Sequence, residues 1–250
     1  MADSIWIEAC CGSVHDVREA LAGGADRVEL NSALALSGLT PSVGTMETVR
    51  ELTDCPVLAM LRPREGGFVY DREEEESMLR DARALLRAGA DGLVFGCLTP
   101  QRRVDEDQLR RFLDAAEGKP CVFHRAVDVC EGWERALDTL MRWGITRVLT
   151  SGQAKTAEEG AAVIRRMVVY CGADMEILPG SGIHAGNAAR ILAVTGCRSL
   201  HLSGSGLYAD PMGDMPLDFH GGRDIPNGCL RGADRAVFAA VRQAVEGADL

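Results

Sequence analysis

Short apolar runs separated by amphipathic stretches recur along this 250-residue chain. Several runs begin just after a glycine that closes a helical pattern: Gly24-Ala-Asp-Arg-Val-Glu-Leu30, Gly89-Ala-Asp-Gly-Leu-Val-Phe95, Gly144-Ile-Thr-Arg-Val-Leu-Thr150, Gly172-Ala-Asp-Met-Glu-Ile-Leu178 and Gly196-Cys-Arg-Ser-Leu-His-Leu202. Glycine takes the left-handed conformation that ends a helix, and the chain then runs straight into a strand. Two further strands start behind Pro56 (Val57-Leu-Ala-Met-Leu61) and Pro120 (Cys121-Val-Phe-His124), and Ile5-Trp-Ile-Glu-Ala9 opens the series. The intervening patterns predict helices near 13–23, 41–53, 71–88, 105–117, 131–143, 156–171, 184–195 and 231–246. Eight strand–helix units of roughly 31 residues each are the arithmetic of an α/β fold, the (β/α)8 TIM barrel, with the whole chain used in a single domain.

Helix starts carry ordinary capping chemistry. Ser13 precedes Asp16, Thr40-Pro41 puts proline at a first helical position, and Asp71 precedes the acid run Glu73 to Glu76. Thr156 and Glu159 have the spacing of a capping box. The acid run reads as a solvated, dipole-matched helix start. Two stretches exceed the barrel template. One is the glycine-rich Arg62-Pro-Arg-Glu-Gly-Gly-Phe-Val-Tyr70 after strand 3. The other is the Gly/Pro/Asp-rich segment 203–230 after strand 8, which either covers the barrel mouth or contacts another subunit.

Composition narrows the partners. A net charge of −10 argues against nucleic acid or an anionic membrane. There is no apolar run long enough to span a bilayer and no signal-peptide pattern at the start, which predicts a cytoplasmic protein. Nine cysteines, an odd number without CxxC spacing, fit reduced thiols.

In a TIM barrel the working side chains sit at the C-terminal ends of strands. Side chains alternate along a strand, and the simplest register points Glu8, Glu29, Arg62, His124 and His201 inward. Together with Arg125 and Asp128 these are the candidate catalytic residues. Two readings stand side by side: an internal ion network that fills the barrel, or a polar pocket suited to proton abstraction beside a carbonyl. The glycine-rich turns after strands 6, 7 and 8 hold Ser151 and Gly152, then Gly180, Ser181 and Gly182, then Ser203 and Gly204. With Arg64 they predict an anion site built from backbone N–H groups. Cys10 and Cys11 are candidate ligands for a soft metal such as Cu(I). Being adjacent on a strand, they face opposite sides, so a second ligand must come from a neighbouring strand.

The segments Glu8-Ala-Cys-Cys-Gly-Ser13, Gly24-Ala-Asp-Arg-Val-Glu-Leu30, Gly38-Leu-Thr-Pro-Ser42, Leu61-Arg-Pro-Arg64, Phe123-His-Arg-Ala126, Arg147-Val-Leu-Thr-Ser-Gly-Gln153 and Gly180-Ser-Gly182 resemble the CutC family of copper homeostasis proteins. The resemblance runs in order from about residue 5 to 245. It implies a cytosolic TIM barrel that forms homodimers or larger assemblies and handles copper as Cu(I). It also implies cysteine ligands, with Cys10-Cys11 at the family's N-terminal Cys-Cys and Cys130 in a family-like position. The segment Tyr208 to Asn227 departs from the family pattern. The chemistry of the strand ends keeps a second function open: an isomerase, epimerase or lyase acting on a small phosphorylated or carboxylated metabolite.

Overall fold

The computed structural model describes residues 5–217, 219–221 and 223–247. Eight parallel strands form the sheet: β1 (Trp6–Cys11), β2 (Arg27–Leu30), β3 (Val57–Met60), β4 (Gly92–Phe95), β5 (Cys121–Phe123), β6 (Arg147–Thr150), β7 (Glu176–Pro179) and β8 (Ser199–Leu202). Each pairs with its neighbour in sequence, β1 pairs with β8, and a parallel bridge between Gly180 and His201 joins the two remaining edges. The sheet is therefore a barrel. Helices α1 (Val14–Ala22), α2 (Val43–Leu52), α3 (Arg72–Arg87), α4 (Glu106–Ala116), α5 (Trp133–Arg142), α6 (Ala161–Cys171), α7 (Ala188–Thr195) and α8 (Arg235–Glu246) follow the strands in turn.

Alternation along each strand divides the burial between two layers. Ile7, Ala9, Cys11, Val28, Leu30, Ala59, Phe95 and Phe123 face outward and join the helices in one large core. Leu58, Met60, Val94, Val122, Leu149 and Leu178 face inward and form a separate apolar cluster. That inner cluster is supplied by β3 to β7. On β1, β2 and β8 the inward positions are mostly polar, and Arg147 of β6 and Glu176 of β7 join them from below the aliphatic layer, so the interior has an apolar part and a charged part.

Helix boundaries depart from the sequence reading where cap chemistry is used without a helix behind it. Ser13 and Asp71 do cap α1 and α3, the latter in a full capping box with Glu74. Pro41, however, lies outside α2, whose cap is Ser42. Thr156 accepts from the Glu159 N–H (3.2 Å), yet the turn it closes ends at Gly160 and α6 begins only at Ala161. The Asn187 side chain accepts from the His184 N–H (2.9 Å) and holds a turn before α7.

The segment after β8 is not a plain loop. It contains an antiparallel hairpin, β9 (Ser205–Ala209) with β10 (Cys229–Ala233), so α8 starts four residues later than its pattern suggests. Gly204 makes the turn out of the barrel. Its φ is +50°, and a Cβ there would lie 2.3 Å from the Phe238 ring. Asp16 roots the hairpin at the rim, its carboxylate accepting from the N–H groups of Gly12 and Ala233 (2.8 Å each). His15 stacks on Tyr208 with ring centres 4.3 Å apart.

Candidate functional site

The charged part of the interior is organised by Glu8. The parallel register sets Glu8 beside Arg27 on one side and His201 on the other. Arg27 Nε donates to Glu8 Oε2 at 2.7 Å, and the Arg147 guanidinium approaches the same oxygen at 3.4 Å. His201 Nδ1 lies 2.8 Å from Glu8 Oε1. Below Glu8, Glu176 accepts from Arg27 Nη2 (2.7 Å), Arg147 Nε (2.6 Å) and the Ser199 hydroxyl. Trp6 closes that end, its ring 5.6 Å from the Arg27 Cζ. Burial works against the Glu8 charge, but the His201 hydrogen bond and the cations outweigh it and bring its pKa down to about 2.

One layer higher, Cys10 is the register partner of Glu29. Cys10 Sγ, a Glu29 carboxylate oxygen and a His201 ring nitrogen all lie within 4.8 Å of one another. His201 Nε2 is 3.9 Å from Glu29 Oε1, and the Cys10 thiol faces that oxygen at 3.8 Å. Asn31 steadies the pair, its Nδ2 donating to Glu29 Oε1 (3.0 Å) and Cys10 Sγ (3.5 Å). Burial opposes a charged imidazole, yet Glu29 and Glu8 outweigh it and hold the His201 pKa above its ordinary value. Burial raises the Glu29 pKa, and the Glu8 charge adds to this. The Cys10 thiol is pushed well up by burial and then by Glu29. Glu8 thus fixes His201 through Nδ1 and leaves Nε2 aimed at a thiol and a carboxyl, the arrangement in which proteins present histidine to a metal. Among the described residues no other group of this kind is found.

Of the predicted residues, the structure brings together Glu8, Glu29, His201 and Cys10. Cys11 faces the helices, fully buried in the outer core, and is absent from the cluster. Arg62 does not enter the inner ion network. Its Nη atoms donate to the carbonyls of Leu36, Ser37, Gly38 and Gly66 at 2.9 to 3.1 Å. The network's cations are instead Arg27 and Arg147. These, with Glu176 and Ser199, sit two positions below residues that were singled out or are apolar; following the same alternation down each strand finds them. Arg125 and Asp128 clamp the rim. Arg125 donates to Asp128 (2.9 Å) and to Ser151 Oγ (2.7 Å), and Asp128 accepts from Thr150, Ser151 and Gln153. Cys130 Sγ faces the Ala126 carbonyl, apart from the cluster.

The expected anion cradle is only partly open. The N–H groups of Ser151 and Gly152 are spent on Asp128 and Thr150 Oγ1, and that of Gly180 on the Thr150 carbonyl. No acceptor among the described residues meets the N–H groups of Ser181, Gly182, Ser203 or Gly204. Arg64 is turned away, paired with Glu74 and stacked over Tyr70.

A sequence profile of the CutC family matches residues 5–206. The chain belongs to the CutC family. A CutC family protein from Treponema denticola is 44% identical over 224 residues, covering 89% of this chain and 91% of its own. The copper homeostasis protein cutC homolog of Drosophila melanogaster is 41% identical over 202 residues, 80% of this chain and 77% of its own. The crystal structure of CutC from Streptococcus agalactiae superimposes with a TM-score of 0.76 at 32% identity, covering 79% of this chain and 98% of that one. Phosphoribosylanthranilate isomerase from Thermotoga maritima, at 12% identity and a TM-score of 0.58, shares the fold alone. The family match ends inside β9, so most of the hairpin lies beyond it.

Proposed function

We propose that this CutC family member handles copper by binding one Cu(I) ion at the barrel mouth, with Cys10 Sγ and His201 Nε2 as ligands. The observation that carries the reading is the orientation of His201: Glu8 holds its Nδ1, and its Nε2 faces Cys10 and Glu29. Thiolate and imidazole are soft and borderline donors suited to Cu(I), whereas a carboxylate is a harder one. Glu29 therefore balances charge beside the ion more than it ligates. The name of the Drosophila relative supports copper as the metal. Nine unpaired cysteines favour the reducing cytosol as the site of action. Among the described residues no helix is long and apolar enough to cross a membrane. A homodimer or larger assembly fits the same reading, and sedimentation would measure it.

Because binding displaces the Cys10 proton, affinity rises with pH. Anaerobic competition against a Cu(I) chelator tests the site. The expected result is one ion per chain, about 100-fold weaker or worse in Cys10→Ser and His201→Asn, and about 10- to 100-fold weaker in Glu8→Gln, which removes the charge that orients His201 and pairs with Arg27 and Arg147. Unchanged affinity in Cys10→Ser, or a site that takes Zn(II) and refuses Cu(I), overturns the proposal.

A further inference from the structure

The cations inside the barrel are balanced by Glu8 and Glu176; Arg62, at the rim, is not. It is 6% exposed, and no described carboxylate lies within ion-pair distance. Its Nη atoms are satisfied by carbonyls, but its Nε is buried without an acceptor. His124 stands beside it. His124 Nδ1 accepts from the Ala126 N–H at 3.1 Å, which puts the ring proton on Nε2, and Nε2 is also buried without an acceptor. Burial and then the Arg62 charge bring the His124 pKa down to about 3, so the ring is a neutral donor. Phe68 covers both groups. Its ring centre is 4.8 Å from that of His124 and 5.4 Å from Arg62 Cζ.

Each buried donor without an acceptor costs about 1–3 kcal/mol, and a buried cation without a counter-charge costs more. Two such donors, one of them on such a cation, under a single aromatic ring are what a bound anion would satisfy. We propose that Arg62 and His124 form a binding site for the carboxylate of a small organic acid, whose oxygens accept from Arg62 Nε and His124 Nε2. Charge selects the ligand class. One guanidinium beside a neutral imidazole is balanced by a monoanion; a phosphate dianion would leave a net negative charge buried. Access requires the Phe68 ring to move aside. Phe68 follows Gly66 and Gly67, and Gly66 already has a φ of +89°. The site shares no ligand atom with the Cys10–His201 cluster, so it stands or falls separately from copper binding.

The test uses the intact protein with acetate, pyruvate and inorganic phosphate as probes, against sodium chloride at matched ionic strength. Thermal unfolding reads ligand binding through mass action, and the ¹⁵N resonance of His124 Nε2 reports its location. The expected result is a saturable rise in Tm with acetate or pyruvate and a shift of the His124 resonance. Affinity should fall about tenfold or more in Arg62→Lys and His124→Asn and rise in Phe68→Ala, which removes the cover. Three results overturn the proposal: a His124 resonance unmoved in wild type at about 100 mM carboxylate, an equal response to chloride, or tighter binding of phosphate. The wild-type resonance decides even if the variants do not fold.

Discussion

Three buried side chains, Glu8, His201 and His124, set how this protein responds to acid. The folded Glu8 has a pKa of about 2 against an unfolded value of 4.5. A depressed carboxylate contributes stability above its unfolded pKa and loses it as pH falls toward the folded one. His124, held neutral down to about 3 from 6.5, behaves alike, because the unfolded chain takes up a proton that the folded one refuses. His201 has the opposite sign. Its raised pKa stabilises below 6.5, and that contribution is lost as pH rises through the folded value. Urea unfolding across pH should therefore show stability falling from about pH 6 downward. His124→Asn should flatten the limb between pH 6.5 and 3, and Glu8→Gln the limb between 4.5 and 2. An unchanged profile in both variants would contradict the burial and pairing described here. These residues were legible in the sequence because acids and imidazoles stand where a strand end is usually apolar. Arg62 was legible as buried but not in its partners, which are loop carbonyls that no side-chain pattern encodes.

Strands and helices were placed well by glycine and proline punctuation, and they failed where the same chemistry serves a turn. Thr156 and Asn187 close turns before α6 and α7 with the hydrogen bonds of a helix cap. The hairpin β9–β10 was missed because Ser205–Ala209 and Cys229–Ala233 lack β-branched residues and are embedded among glycines, prolines and aspartates. Its attachment is testable. Asp16→Ala leaves the N–H groups of Gly12 and Ala233 without their acceptor and should cost about 1–3 kcal/mol, with faster amide exchange over 229–233. Normal exchange there would show that Asp16 does not root the hairpin. Gly204→Ala forces a Cβ into Phe238 at a positive φ, and a loss of about 1–3 kcal/mol or more is expected in the urea midpoint.

The barrel as a whole divides its labour by side. β3 to β7 supply the aliphatic side chains of the interior, while β1, β2 and β8, joined by Arg147 of β6 and Glu176 of β7, carry the ion network that positions His201. The long-range pairing of Arg27 and Arg147 with Glu8 and Glu176 ties the first strands to the last. We expect one cooperative unfolding transition seen alike by fluorescence and circular dichroism; two separated transitions would argue for two folding units. Function at this level rests on whether the cluster in the charged part holds copper. X-ray absorption at the copper edge, on anaerobic protein loaded with one Cu(I) per chain, reads the ligands directly. The account predicts one sulfur and at least one imidazole nitrogen around the ion, with the sulfur lost in Cys10→Ser and kept in Cys11→Ser. A spectrum that keeps its sulfur in Cys10→Ser, or shows two sulfurs in the wild type, would contradict it.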